Sequence, residues 1–183
     1  MRAMGTMLGL ISIGLAAGAM AGGAAAVEVP AQVVEVRTAG PERIGAWAVK
    51  ADPTLGAAIR ALGAPTSRRR IGDGVGCHVR WQGRGVFAIF ANFGGLDACS
   101  PRGGRAQKAT LTGPSWRTAR GLRAGASRAA LRRLYPKATP RDGRLWLVSA
   151  YSSIEGGIAP VLAARMRDGR VSAFEVSIGA AGE

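Results

Sequence analysis

Hydrophobic and polar positions alternate with period two through most of the chain, and follow a helical period in two short places. Cys77, Val79 and Trp81 alternate with His78 and Arg80. A turn at 82–85 follows, and the apolar run Val86 to Ala91 returns, which predicts a β-hairpin. Further strands are predicted over 33–37, 44–50, 107–112, 145–150, 161–166 and 171–178. The last two are joined by Asp168 and Gly169, a dipeptide suited to tight hairpin turns. In the final strand Phe174, Val176 and Ile178 share the face expected to meet the core, and Ala173, Glu175 and Ser177 share the other. Helical spacing occurs at Leu55, Ala58, Ile59 and Leu62, one stripe at i, i+3, i+4 and i+7. Asp52 is placed as its N-cap and Pro53 at the first helical position; Gly63 follows its end and Pro65 stops it. A second helix is predicted after Ser127, with Ala130, Leu131 and Leu134 inward and Pro136 as the stop. Arg128, Arg132 and Arg133 fall on its outer face. Segments 66–70 and 151–160 read as loops.

Each predicted helix precedes a set of short strands. A helix buries one stripe and a meander buries one face. The expectation is therefore an α+β fold: two tandem helix-plus-antiparallel-meander repeats forming a curved sheet with helices on one face. The expected divisions are a signal peptide at 1–26, an N-terminal arm or strand at 27–43, and repeats at 44–115 and 116–183.

The first 26 residues carry Arg2, an apolar run from Met7 to Met20 and a small-residue site at Ala24 to Ala26, which is the pattern of a cleaved signal peptide. The run is short and glycine-rich for a membrane span, so no stable span is expected after cleavage and the chain is expected to be secreted or associated with the cell envelope. Export changes the reading of the two cysteines. Cys77 and Cys99 are the only ones in the chain, and in an oxidising compartment they are expected to pair. Composition adds a strong charge: Lys+Arg 25 against Asp+Glu 11, net +14. Such a surface attracts polyanions, although a GC-rich genome would also enrich arginine. Aromatics make up only 5% of the chain, so a core of small side chains is expected.

Gly125, Ser127, Leu131, Leu134, Tyr135 and Pro136 form a pattern with a looser copy at Thr54, Ile59, Leu62, Gly63 and Pro65. The pattern resembles the repeat of β-lactamase-inhibitor-protein-like domains and of the SmpA/OmlA outer-membrane lipoproteins. Trp116, Thr118 and Gly121 also resemble the lead-in to the second repeat in exported proteins of GC-rich actinobacteria. The resemblance covers roughly 44–178. It implies an exported protein that acts by binding other proteins, in the inhibitor branch through an aromatic-rich concave sheet. The lipoprotein branch carries a lipidated cysteine after the signal, which this chain lacks.

Catalytic chemistry has little to stand on. No Gly-x-Ser-x-Gly elbow occurs, and the single histidine, His78, adjoins a cysteine expected to be oxidised. The carboxylates fall mostly in turns and caps. The glycines from Gly72 to Gly76 lack the Lys-Ser/Thr of a phosphate loop. No enzyme, metal or cofactor is expected. Two binding readings remain. The first is a module for another protein, with Trp146, Tyr151 and the arginines Arg128, Arg132 and Arg133 as candidate surface. The second is a basic protein that contacts anionic envelope polymers. Export argues against nucleic acid as the partner. An open sheet face bearing aromatics favours the first reading, and one bearing arginines from both halves of the chain favours the second.

Overall fold

A computed structural model describes residues 31–37, 40–92, 94–152 and 156–178. The expected signal peptide, the start of the expected arm and the tail from 179 lie outside these residues. Eleven strands and two α-helices follow in chain order: β1 (Gln32–Arg37), β2 (Gly40–Ile44), α1 (Leu55–Leu62), β3 (Ser67–Ile71), β4 (Gly76–Trp81), β5 (Val86–Ala91), β6 (Arg105–Thr112), β7 (Trp116–Thr118), α2 (Arg128–Leu134), β8 (Thr139–Arg141), β9 (Arg144–Ser152), β10 (Gly157–Arg167) and β11 (Arg170–Ser177). Eight strands form one antiparallel sheet in the order β3-β4-β5-β6-β11-β10-β9-β8. A second sheet has the order β2-β1-β7, in which β7 runs parallel to β1.

The expected α+β fold of two tandem helix-plus-meander repeats is corrected. The protein is mostly β, 52% strand against 13% helix, and is not a helix-plus-meander repeat. Strand side chains supply most of the core. The helices are only eight and seven residues long, and α2 fully buries a single residue, Leu131. The second sheet takes a strand from the middle of the chain and pairs it with the first, and that long-range pairing leaves no periodic trace.

Both helices join one hydrophobic cluster. α1 contributes Leu55, Ala57, Ala58 and Leu62. The sheet contributes alternate residues: Cys77, Val79 and Trp81 from β4, Val86, Ala88 and Phe90 from β5, and Phe174 and Val176 from β11. The helices and, through Val34, Ile44 and Trp116, the second sheet therefore pack on one face of the large sheet, the covered face; on the other, the open face, Ser67, Arg80, Thr139 and Arg141 are exposed while Ala163, Ala173, Glu175 and Trp146 are buried. The core's large anchors are tryptophans whose indole N–H groups are satisfied. Trp47 donates to the Asp52 carbonyl at 2.9 Å, Trp81 to that of Gly63 at 2.8 Å and Trp116 to that of Arg84 at 2.8 Å. Trp47 also stacks on Phe90 with ring centroids 5.9 Å apart.

Several local expectations shift. Thr54, not Asp52, caps α1: its hydroxyl accepts from the Ala57 N–H at 3.2 Å, and Asp52 in turn accepts from both the Thr54 amide and hydroxyl. Ser127 caps α2 as its position predicted. The strand expected over 44–50 lies instead at Gly40–Ile44, where Pro41 is tolerated because β2 is an edge strand. The basic loop expected at 66–70 forms the edge strand β3, all five residues exposed. Arginines on an edge oppose pairing with another chain.

Candidate functional site: the open sheet face

Cross-strand register defines the open face. One row runs across all eight strands: Ser67, Arg80, Phe87, Thr110, Glu175, Ala163, Trp146 and Thr139. Neighbouring strands lie about 4.8 Å apart, so the row is roughly 34 Å long. On one side of it lie Arg69, His78, Ile89, Lys108 and Ser177. On the other lie Thr112, Ala173, Arg165, Arg144 and Arg141. Cations from both halves of the chain therefore share one surface. Glu175 is the single carboxylate among these strand positions.

The aromatic side chains of this face sit under guanidinium groups. Arg80 lies 4.9 Å from the centroid of Phe87, and Arg141 lies 4.7 Å from that of Trp146. His78 meets Phe87 edge-on at 5.1 Å. The His78 pKa lies below its ordinary value, first because the ring is desolvated and then because Arg69 and Arg80 oppose a further positive charge. What this face offers a partner is therefore arginine, with the aromatic rings as its support.

Glu175 anchors the middle of the face. It is buried, with 3% of its surface exposed. Arg144 donates to it at 2.7 Å, Lys108 lies at 3.2 Å, and Arg165 completes the cluster. Burial pushes this carboxyl up, but the Arg144 hydrogen bond, the Lys108 charge and the Arg165 hydrogen bond together hold it below the usual carboxylate range. Three cations from three strands are thereby drawn into one fixed array around a buried anion. Trp146 is 8% exposed, and its indole N–H has no hydrogen-bond partner among the described residues.

The residues expected to form one binding surface are dispersed. Arg128, Arg132 and Arg133 are exposed on α2, which packs on the covered face through Leu131. Arg132 is tied locally, donating to the Ala138 carbonyl at 2.9 Å. Trp146 lies on the open face, on the opposite side of the sheet. Tyr151, near the end of β9, is 64% exposed and pairs directly with Ile158 of β10, 57% exposed. Cys77 and Cys99 form the expected disulfide, Cα–Cα 5.1 Å, which ties the start of β4 to the loop before β6. Among the described residues no group of His, Cys, Asp and Glu is arranged to hold a metal ion, and no helix is long and apolar enough to cross a membrane.

Sequence reasoning missed the Glu175 cluster and the arginine-capped rings. Alternation assigned Glu175 to the face away from Phe174 and Val176, and a lone carboxylate inside an apolar strand is itself a signal of a buried counter-ion. Its three partners come from other strands and could not be named without the register. No family model, curated protein or solved structure matches this chain. The resemblance drawn from Ser127, Leu131, Leu134 and Pro136 thus rests on the sequence pattern alone.

Proposed function

We propose that this is an exported, non-catalytic binding protein of the cell envelope that holds an anionic polymer along its open sheet face. The observation that carries this reading is the arrangement of Arg69, Arg80, Lys108, Arg141, Arg144 and Arg165, drawn from both halves of the chain, on one sheet face, where Lys108, Arg144 and Arg165 gather around one buried carboxylate. A polymer with a charge on each repeat can follow such a face, meeting guanidinium donors that pair well with phosphate or carboxylate. The cost of ordering the arginines is reduced in advance, because Phe87, Trp146 and Glu175 already hold four of them.

Poly(glycerol phosphate) is a suitable probe, with dextran as the neutral control. The reading expects binding to the first and not the second, weakening steeply between low and high salt. Equal retention of both polymers, or binding indifferent to salt, would overturn it. A second reading, a module for another protein, is favoured by the exposed Tyr151–Ile158 pair, since directly opposed apolar residues at a hairpin end suit a protein contact. Salt-insensitive capture of one protein, lost on Tyr151→Ser, would support that alternative instead.

A further inference from the structure

A concave site lies apart from the open face. It is a cleft of about 630 Å³ between β1, the end of α2 and the β9–β10 pair. Its volume is within the range of small-molecule sites, about 300–1,000 Å³. Val36, Leu147 and Val148 form apolar walls, partly buried against the core but still facing the cleft. Arg37, Arg120 and Lys137 also line it, and among the described residues no carboxylate does.

Two of the three cations are available. Arg37 pairs with Glu35 at 3.4 Å. Arg120 and Lys137 have no carboxylate partner among the described residues. Arg120 is also pre-oriented: it lies 5.1 Å from the Tyr135 ring centroid and donates one N–H to the Leu134 carbonyl at 3.3 Å. A guanidinium has five donors, so most remain for a ligand. Apolar walls beside unpaired cations match a molecule that is apolar along its length and anionic at one end.

We infer that this cleft binds a single-chain anionic amphiphile, its acyl chain against Val36, Leu147 and Val148 and its head group on Arg120 and Lys137. Burial of the chain supplies the hydrophobic driving force. The charged hydrogen bonds select the head group. This site is independent of the polymer reading, because it shares no residue with the open face.

Calorimetry of the full chain with laurate, lauroyl-lysophosphatidylglycerol, dodecanol and dodecyltrimethylammonium tests the inference below the micellar concentration of each. Laurate, the lysolipid or both are expected to bind one per chain; which of them binds identifies the head group as carboxylate or phosphate. Arg120→Gln with Lys137→Gln is expected to weaken binding about tenfold or more, and Val148→Trp to block it by filling the cleft. Circular dichroism establishes that both variants fold. Arg80→Gln with Arg141→Gln is expected to leave amphiphile binding unchanged, which separates this inference from the polymer reading. Binding of dodecanol or the cationic amphiphile as tight as that of the anions, binding unaffected by the Arg120 and Lys137 changes, or no binding by either anion would overturn it.

Discussion

Replacing Glu175 by glutamine tests the centre of the open face, because it removes a charge while keeping the shape of the side chain. In the native protein the carboxylate is buried and meets Arg144 at 2.7 Å, Lys108 at 3.2 Å and Arg165. Removing one partner of a fully buried ion pair costs about 3–5 kcal/mol. Here the three cations reach solvent, which screens the repulsion left behind. The expected loss is therefore lower, about 2 kcal/mol near pH 7. The sign of the pH dependence follows from the depressed carboxyl pKa. Folding favours the ionised form, so the stabilisation is present above the unfolded carboxylate value of about 4.3 and is lost as pH falls through the lower folded value. Urea denaturation of the native chain and of Glu175→Gln, from about pH 7 down to about pH 2, is the assay. The gap between them is expected to close on acidification as the native carboxyl takes up its proton. A gap that stays constant with pH would refute the ion-cluster argument, and so would a variant more stable than the native chain at pH 7.

Trp146→Phe removes the indole N–H that lacks a partner while keeping a ring beneath Arg141; thermal denaturation should find the variant within about 1 kcal/mol of the native chain or more stable, and a loss above about 2 kcal/mol would mean that the N–H is in fact satisfied. Replacing Cys77 and Cys99 together by alanine should lower stability by about 3 kcal/mol, the entropy of a loop with a sequence separation of 22, and dithiothreitol should reproduce the effect in the native chain but not in the variant. His78 should titrate by NMR below its ordinary value of about 6.5, so its neutral form contributes stability that is lost as pH falls through the folded value; bound polyanion should move that titration upward, and no movement would place the polymer away from β4.

What was legible in the chain depended on whether an element carried apolar residues. β4, β5 and β11 alternate clearly because one face of each meets the core. β3 and β8 are exposed throughout, so no alternation marked them, and both were missed. Two hairpins make the point together. Asp168 and Gly169 close β10 onto β11 with positive φ at both residues, and Asp142 and Gly143 close β8 onto β9 in the same way. The first was recognised because apolar strands flank it, and the second was missed because Thr139, Pro140 and Arg141 carry no apolar residue that marks a strand. The short strand β7 was hidden by its partner, β1, far away in sequence. The same limit applies to function. Arginine excess and strand parity were visible, but the sides of the sheet were not: Arg132 and Trp146 seemed parts of one surface until the packing of Leu131 fixed α2 to the covered face.

Anion binding is proposed to belong to the open sheet face and not to positive charge in general. Net charge alone, +14, would make any arginine equivalent. The most direct measurement compares the affinity for poly(glycerol phosphate), as a function of salt, of two doubly neutralised variants of equal net charge. One is Arg80→Gln with Arg141→Gln, on the open face; the other is Arg128→Gln with Arg133→Gln, on α2. The open-face pair is predicted to lose about tenfold or more in affinity and to flatten the salt dependence, while the α2 pair stays close to the native chain. Equal losses in the two variants, or a larger loss from the α2 pair, would show that the open face is not where the polymer binds.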